Sequence, residues 1–411
     1  MIQGYCEPEF TGVARALRRQ VRGGRGGAAV CVYHRGRKVV DLWAGRRDDR
    51  GHPWRADTLA MSFSTTKGVV ATALHVLVDR GLLDYDDPVA RHWPEFGREG
   101  KERITVRDVL SHRAGLPQLR PLLDRTDRIL DWEHMVQALE RARPRLLPGG
   151  PPAYHAFTFG WLVGELIQRV TGRKLIDVVR SEVAEPLGIG DDLYIGTRDA
   201  AVRARLAALG PRFEEGRLAK LLTSRGLAGA LGLLWRPIGV PLDPLLMQDA
   251  LIPGPDADLI FEPRVLDAPI PAANGLFTAR ALARVYAAIS CGGSLDGVRL
   301  LSPATLRRAS EVQTRSADRV LVLPMHWRLG YHSAFTTAGR LGRAFGHFGF
   351  GGSGAWADPE RKLAFAMVNN RVGGTPFGDL RIAELGAAAV RGAAAVGRRT
   401  PHARPVVVPA T

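Results

Sequence analysis

A serine and a lysine three residues apart, Ser64 and Lys67, stand at the start of a long apolar segment. Residues three apart on an α-helix share a face, so these two side chains can meet. The residues from Val69 to Val78 are apolar nearly all round, which is typical of a buried helix, and Gly81 is placed to end it. Burial and the positive first turn of a helix both lower the pKa of a lysine. Lys67 could therefore act as a base for the Ser64 hydroxyl.

The Ser-x-x-Lys pattern carries information because lysine is rare in this chain. Of the 57 lysine and arginine residues only six are lysine. Composition alone therefore predicts roughly 0.2 such matches. No other serine has a lysine three residues later. Exposed helices can carry the pattern by chance, but Lys67 lies in an apolar segment.

Length and composition indicate a globular protein with a strongly basic surface. The chain has 411 residues, enough for one large or two ordinary domains, of which 45% are hydrophobic and 24% charged. Its formal net charge is +16. Acidic residues lie among the arginines, and aromatic residues are not interleaved with basic runs. We therefore predict no nucleic-acid partner, while peripheral contact with a membrane stays open.

Cysteine usage and the N-terminal segment indicate the compartment. Cys6, Cys31 and Cys291 are widely spaced and odd in number, which predicts neither a disulfide framework nor a metal site and fits a reducing compartment. The first residues lack the basic and apolar regions of a signal peptide, and no run reaches the ~20 apolar residues of a membrane-spanning helix. We expect a cytoplasmic protein without metal or cofactor, and association with a membrane or cell wall stays open.

Strand patterns lie near both ends of the sequence and helical patterns in the middle. Segments 28–33 and 38–43 are predicted to form a β-hairpin, and 345–350, 354–356 and 363–369 are predicted as further strands. The predicted helices cover residues 10–21, 64–78, 105–112, 131–143, 158–171, 175–184, 200–209, 278–290 and 379–396, with another that starts at Ser302.

This distribution predicts an α/β (α+β) protein whose antiparallel sheet is built from both ends of the chain and flanked by helices. We expect residues 1–117 and 266–396 to form the sheet domain, residues 118–265 an all-helical insertion domain, and residues 397–411 a disordered tail. The apolar stretch 226–247 is too short to cross a bilayer. It could be core, a packed loop, or a lid beside the site.

Two further stretches could complete acyl transfer by a serine. Tyr154 precedes the predicted helix 158–171, and a tyrosine can act as a base when a cation such as Lys67 lowers its pKa. It could equally be a packing residue. Glycines crowd the segment from Gly346 to Gly354, which favours either close approach of a substrate to the backbone or an edge strand with a bulge.

Together these stretches resemble the serine β-lactamase and penicillin-binding protein superfamily, and within it the esterases with a class C β-lactamase fold, the family VIII carboxylesterases. The resemblance covers residues 5–395 and implies a β-lactamase/transpeptidase-like fold. It rests on the order and spacing of five motifs, which are Phe63 to Lys67, Leu110 to Leu116, Tyr154 to Gly160, Pro271 to Gly275 and Gly346 to Ser353.

The resemblance implies a role for each motif position. Ser64 would be the acylated nucleophile, and Lys67 would take its proton or hold the phenolate of Tyr154. Tyr154 would be the general base in acylation and would activate water in deacylation. The backbone N–H groups of Ser64 and Phe350 would form the oxyanion hole. The implied substrate-binding positions are Phe63, Ala156, His347, Phe348 and Gly349.

Two positions depart from the β-lactamase pattern and bear on the substrate. Ala156 stands where those enzymes usually have asparagine, and His347, largely neutral at pH 7, stands where they carry lysine. Losing an amide partner and a fixed charge should weaken the binding of β-lactams and peptides, whereas ester cleavage needs neither group. We therefore predict a serine hydrolase that cleaves small-molecule carboxylic esters with short- to medium-chain acyl groups.

Other activities on the same fold stay open. They are β-lactam hydrolysis, D-amino-acid peptide hydrolysis and acyl transfer to another alcohol. A non-catalytic binding protein on this fold is a further alternative, and it predicts that Ser64→Ala changes nothing.

A different hydrolase architecture is motivated by residues 351–355, which nearly match the G-x-S-x-G elbow of α/β-hydrolases around Ser353. Asp379 and His402 follow in the order that such an enzyme would use. We reject this alternative, because Ala355 replaces the second glycine, His402 lies in the tail, and the sequence lacks a parallel β-α-β pattern.

Overall fold

One antiparallel sheet takes its eight strands from both ends of the chain. The computed structural model describes residues 1–24, 26–209, 243–254, 256–371, 380–397 and 406–408. The described strands of the whole protein are β1 Ile2–Cys6, β2 Gly27–His34, β3 Arg37–Gly45, β4 Ala60–Met61, β5 Leu193–Ile195, β6 Gly275–Phe277, β7 Ser294–Leu295, β8 Val298–Arg299, β9 His332–Thr336, β10 Gly339–Phe348, β11 Gly354–Asp358, β12 Leu363–Asn369 and β13 Val406–Val408. The large sheet has the order β13-β1-β3-β2-β12-β11-β10-β9.

The central strands separate two hydrophobic cores. Every residue of β2 and β12 is buried, and successive side chains of a strand point to opposite faces of the sheet. Cys31 and its alternate neighbours in β2 therefore join one core, whereas Val30 and Val32 join the other. Both faces of the sheet are covered at these strands, which explains why their sequences are nearly continuous apolar runs.

Helices cover both faces of the sheet. They are α1 Thr11–Val21, α2 Thr65–Asp79, α3 Val89–His92, α4 Val106–Leu110, α5 Trp132–Arg141, α6 Thr158–Thr171, α7 Leu175–Val179, α8 Ala200–Ala204, α9 Pro244–Leu251, α10 Ala279–Ser290, α11 Pro303–Ser310 and α12 Leu380–Val396. Helices α2 and α10 contribute to the larger core, and α1 and α12 pack against each other in the second core.

Short irregular helices connect several of these elements. A π-helical turn, Arg180–Ala184, continues α7. The 3₁₀ turns are Pro8–Phe10, Pro94–Gly97, Arg120–Leu122, Thr126–Leu130, Ala257–Phe261, Pro263–Asp267 and Phe350–Gly352.

Local sequence signals account for the helix ends. Thr105 forms a reciprocal capping box with Asp108 at the start of α4, where the predicted helix 105–112 begins. Ser302 caps α11 through the Thr305 N–H, and a proline occupies the first turn. Helix α6 ends at Gly172, whose φ of 65° lies in the left-handed region that glycine adopts without strain.

A second, three-stranded sheet joins distant parts of the chain beside the start of α2. Its order is β4-β6-β5, with antiparallel pairs. Strand β5 comes from the segment 118–265, for which the sequence predicts helices only. It is three residues long and pairs with β6, so local periodicity could not reveal it.

The fold class is confirmed, and several element predictions need correction. Strands β1 and β9 have no counterpart among the predicted strands. Strand β10 ends at Phe348, whereas the predicted strand ran to residue 350. Of the predicted tail 397–411, Val406–Val408 pair with β1 as strand β13, and residues 398–405 and 409–411 lie outside the described residues, so the disorder of the tail stays a prediction. Residues 226–242, Asp379 and His402 lie outside the described residues.

Candidate active site

The turn before α2 presents Ser64 at the helix N-cap. Phe63, directly before it, has a φ of 46°, a left-handed conformation that is uncommon for an aromatic residue. Two hydrogen bonds tie this turn to β6: the Ser62 N–H donates to the Gly275 oxygen at 2.8 Å, and the Gly275 N–H donates to Thr66 Oγ1 at 2.9 Å. The nucleophile candidate is therefore held on a fixed turn.

Lys67 lies fully buried behind Ser64 and connects three of the predicted motifs. Its Nζ is 2.9 Å from Ser64 Oγ, and it donates to the carbonyl oxygens of Ala156 at 2.6 Å and of Ala272 at 3.0 Å. Ala156 belongs to the tyrosine motif and Ala272 to the Pro271–Gly275 motif. Burial holds the pKa of Lys67 well below the ordinary lysine value.

Tyr154 reaches the same serine from the segment before α6. Its hydroxyl donates to Ser64 Oγ at 2.7 Å, and Lys67 Nζ lies 4.9 Å from the centre of its ring. The three predicted side chains therefore share one hydrogen-bonded cluster.

The protonation state of Tyr154 differs from the sequence-based expectation. We expected a nearby cation to lower its pKa, but burial raises the pKa of Tyr154 well above its usual value. Burial also lowers the pKa of Lys67, which weakens the expected source of positive charge beside Tyr154. A protonated phenol beside a neutral amine is the arrangement that desolvation favours here.

Two residues that the sequence analysis missed hold Tyr154 in place. Asp318 is buried, and its Oδ1 accepts the N–H groups of Tyr154 at 3.1 Å, Val320 at 2.8 Å and Leu321 at 2.9 Å. Its Oδ2 accepts the indole N–H of Trp327 at 2.9 Å. Burial raises the pKa of Asp318 to about 6. An aspartate in an irregular loop far along the chain carries no sequence signal for this role.

The glycine-rich segment brings its backbone against the nucleophile turn. A Cβ on Gly349 would lie 2.2 Å from the Ser62 oxygen and 2.9 Å from Thr65 Oγ1, so only glycine permits this approach. The Gly349 N–H donates to the Ser353 oxygen at 2.7 Å, and a 3₁₀ turn begins at Phe350. The backbone of residues 349–350 is thus placed beside Ser64.

A largely apolar cavity of about 300 Å³ opens over Ser64. Phe63, Phe261 and Phe350 form part of its wall, where the rings of Phe63 and Phe350 meet edge to face at 5.5 Å. Leu321 also lies in the wall. The predicted positions that line the cavity are Phe63, Ser64, Tyr154, Ala156, His347, Phe348, Gly349 and Phe350.

Among the described residues that line this cavity, none is lysine, arginine, aspartate or glutamate. His347 is the polar wall residue at the position where the β-lactamase pattern has a cation. Its Nδ1 lies 3.0 Å from the Phe348 oxygen, and its Nε2 has no hydrogen-bond partner in the part of the chain that the structure describes. Burial, and next the neighbouring His332, hold the pKa of His347 well below the ordinary value, so this wall is uncharged.

Ser353, the alternative nucleophile, does not lie on the nucleophile elbow that an α/β-hydrolase uses for catalysis. Its side chain is 1% exposed, and its Oγ accepts the Asn369 N–H at 3.3 Å. The surrounding strands β10, β11 and β12 are antiparallel, whereas the elbow requires a strand-turn-helix unit of a parallel sheet. Its other two predicted members, Asp379 and His402, lie outside the described residues.

The described ranges contain no group of three or more histidine, cysteine or acidic side chains arranged to hold a metal ion. Within the same ranges, no helix has both the length and the apolar content that a bilayer crossing requires.

Comparisons with known proteins extend over nearly the whole chain. A family model described as Beta-lactamase matches residues 13–389. The chain is 42% identical over 374 residues to the esterase/beta-lactamase LipL of Mycobacterium tuberculosis, which covers 90% of this chain and 83% of the relative.

Solved structures agree with this relationship. A family VIII carboxylesterase superposes with a TM-score of 0.83 at 33% identity, covering 95% of this chain and 100% of that chain. A penicillin-binding protein homologue from Caulobacter crescentus superposes with a TM-score of 0.78 at 34% identity, covering 95% and 100%. The chain therefore belongs to the beta-lactamase family.

Proposed function

We propose that this protein is a serine carboxylesterase that cleaves uncharged esters of short- to medium-chain acyl groups through an acyl-enzyme on Ser64. The observation that carries the proposal is the position of Ser64 Oγ, 2.7 Å from the Tyr154 hydroxyl and 2.9 Å from Lys67 Nζ, at the floor of an apolar cavity. The names of the relatives, a family VIII carboxylesterase and an esterase/beta-lactamase, support ester hydrolysis.

Lys67 is the base that we assign to the attack by Ser64. A neutral amine has two N–H groups and one lone pair. Its two N–H groups are used by the carbonyl oxygens of Ala156 and Ala272, which leaves the lone pair for the Ser64 hydroxyl. Because burial lowers the pKa of Lys67, its amine is neutral over part of the pH range in which an ordinary lysine is charged. The neutral amine can take the serine proton as the O–C bond forms.

Tyr154 is the proton donor that we assign to the leaving alcohol. When the tetrahedral intermediate collapses, the phenol gives its proton to the departing alkoxide, and the Lys67 ammonium returns a proton to the phenolate. The net result is an acyl-serine and a free alcohol that has gained the proton lost by Ser64, with Lys67 again neutral and Tyr154 again protonated. In deacylation the same pair takes a proton from water, and that proton returns to Ser64.

The oxyanion hole in this proposal consists of the backbone N–H groups of Ser64 and Phe350. Ser64 stands at the N-terminus of α2, where backbone N–H groups and the helix dipole favour a negative oxygen. We assign the second donor to Phe350 because Gly349, directly before it, packs closely against the Ser62 oxygen of the nucleophile turn.

The uncharged cavity wall sets the substrate class. Esters with an apolar acyl group can bury it against the phenylalanine and leucine side chains, whereas β-lactams and peptides would bring a carboxylate for which the described lining residues offer no cation. Hydrolysis of β-lactams stays the second candidate, because the relative LipL carries both activities in its name.

A panel of p-nitrophenyl esters of graded acyl length tests the proposal. We expect Ser64→Ala, Lys67→Ala and Tyr154→Phe each to lose most of the rate. Lys101→Met is the matched control, because Lys101 is also fully buried and its Nζ also donates to two carbonyl oxygens, far from the cavity. Full activity of Lys67→Ala would contradict the mechanism.

Three further measurements separate the alternatives. A serine-directed phosphonate should label Ser64, whereas a label on Ser353 would overturn the assignment. Slow or absent nitrocefin turnover is expected from the uncharged wall, and efficient turnover would favour the β-lactamase alternative. Added acceptor alcohols distinguish hydrolysis from acyl transfer.

A further inference from the structure

A cationic cluster lies directly behind one wall of the cavity. Leu321, Leu323 and Met325 line the cavity, and the basic residues His326 and Arg328 follow on the same segment. The guanidinium of Arg340, in the neighbouring strand β10, donates to the Pro324 oxygen at 2.8 Å.

The cluster comprises Arg315, His326, Arg328 and Arg340. In the described part of the chain its positive charges act on one another without a counter-charge. Burial lowers the pKa of Arg328 to about 10, and the charges of Arg340 and Arg315 act in the same direction. His326 has a lowered pKa from burial and from the same three arginines. Among the described residues, no carboxylate forms an ion pair with Arg315, Arg328 or Arg340.

Some arginines at the surface do have carboxylate partners, as Arg19 has Glu384 and Arg107 has Asp86. Arg328 is only 3% exposed, and its hydrogen bonds go to the uncharged Ser310 oxygen and Ser333 Oγ. Concentrated like charge is unfavourable in the isolated protein and becomes favourable where an anionic partner meets it.

An exposed apolar side chain lies beside these charges. Leu323 is 46% exposed, and Pro324 next to it is also exposed. A leucine held out into water between arginines is the combination that enters the boundary between lipid headgroups and acyl chains. The described residues of the cluster lack the exposed aromatic rings on which nucleic-acid bases would stack.

We propose that the exposed side chains of Arg315, Arg340 and Leu323, with the buried charge of Arg328 behind them, form a cationic rim that docks the protein on an anionic lipid surface. The headgroup phosphates would supply the missing counter-charge, and Leu323 would enter the interface. Because Leu321 and Leu323 also belong to the cavity wall, docking places that wall against the lipid, where apolar esters are concentrated. The docking surface is independent of the ester chemistry, since binding to vesicles needs no turnover.

Vesicle co-sedimentation of the full chain tests this surface. We expect binding to vesicles that contain phosphatidylglycerol and little binding to pure phosphatidylcholine. Arg315→Ala/Arg340→Ala should weaken partition to the anionic vesicles by about 25-fold, because each basic residue near such a surface contributes about fivefold. Both arginines are exposed, so the double variant should keep its fold and its rate on a water-soluble ester.

Matched controls separate this surface from net charge and from general apolarity. Arg15→Ala/Arg18→Ala removes the same charge from exposed positions of α1 and should reduce partition far less. Leu323→Ser should weaken partition several-fold, whereas Leu82→Ser, at a leucine that is also 46% exposed, should not.

Three outcomes would overturn the proposal. The first is equal loss of partition in the two double-arginine variants, which would reduce the effect to net charge. The second is binding that does not distinguish anionic from neutral vesicles. The third is tight binding of single-stranded RNA that depends on Arg315 and Arg340 while vesicle binding does not, which would assign the cluster to nucleic acid.

Discussion

The indole of Trp327 lies parallel to the phenol ring of Tyr154, with ring centroids 5.4 Å apart and an interplanar angle of 7°. One carboxylate, Asp318, accepts hydrogen bonds from both residues, from the Tyr154 backbone and from the Trp327 indole. The ring and the backbone of Tyr154 are thus fixed by the same buried group. Asp318 and Trp327 are positioning residues in this arrangement, since they act through Tyr154.

Replacing Asp318 by asparagine should lower kcat by about 10-fold or more, since small misplacement of a catalytic group is costly. Asparagine keeps one acceptor oxygen, so either the backbone N–H groups or the Trp327 indole would face an NH₂ donor. The free energy of unfolding should fall by about 1–3 kcal/mol, the cost of unsatisfied buried donors. Steady-state kinetics and thermal denaturation measure the two effects.

Asp358→Asn is the control for this prediction. Asp358 is also buried and accepts backbone N–H groups, those of Glu360 and Arg361, but in a turn away from the cavity. It should lose stability and keep its kcat. If both variants lose stability and neither loses kcat, Asp318 has a structural role only.

The pH dependence of ester cleavage should follow the loss of a proton from Lys67. Because burial lowers the Lys67 pKa, kcat/KM should rise with pH and reach its plateau well below the usual lysine pKa of about 10.4. Burial raises the Tyr154 pKa, so the phenol stays protonated over this range and produces no alkaline loss. Lys67→Arg, which keeps its proton, should be inactive throughout. A wild-type rate that falls as pH rises from neutrality would contradict Lys67 as the base.

The nucleophile and its base could be predicted from the sequence because their relation is local. Ser64 and Lys67 are one helical turn apart, and the apolar run after them indicates burial of the helix. The family resemblance added Tyr154, whose distance from Ser64 no periodicity can give. The glycines around Gly349 indicated a close backbone approach, and the structure places that approach against Ser62.

The supporting residues could not be predicted, because they act over long separations. Asp318 contacts Tyr154 across 164 positions, from a loop without periodicity. The same limit applies to β5 and β9, which are short and become strands through pairing with β6 and β10. The raised pKa of Tyr154 could not be predicted for a related reason, since it depends on the burial that the assembled fold creates.

The acyl-chain preference should depend on Phe261 in the cavity wall. Its ring meets that of Phe63 edge to face, with centroids 6.2 Å apart. Phe261→Ala removes a large apolar group from the wall and lengthens the space available to the acyl chain. We expect the ratio of kcat/KM for octanoate to that for acetate to rise by about 10-fold, as several added methylenes gain contact. Acetate serves as the control, and an unchanged ratio would place the acyl group elsewhere.

Gly349→Ala should disable the oxyanion hole while leaving the fold intact. The new Cβ would lie 2.2 Å from the Ser62 oxygen, which is backbone of the nucleophile turn and cannot rotate away. Residues 349–350 must therefore move away from Ser64, and with them the Phe350 N–H. Loss of one oxyanion donor lowers kcat by about 10²–10³-fold. The main effect should fall on kcat, with a smaller change in KM.

Gly342→Ala, in strand β10 shortly before Gly349, provides the matched control, since a Cβ there meets no atom within 4 Å. It should keep both its rate and its thermal stability. A further distinction comes from phosphonate labelling, which forms the same tetrahedral geometry at Ser64. Labelling of Gly349→Ala should slow in parallel with kcat, because the phosphonyl oxygen needs the same N–H groups. Unimpaired labelling with a lost kcat would place the defect in deacylation and would exclude the Phe350 N–H from the oxyanion hole.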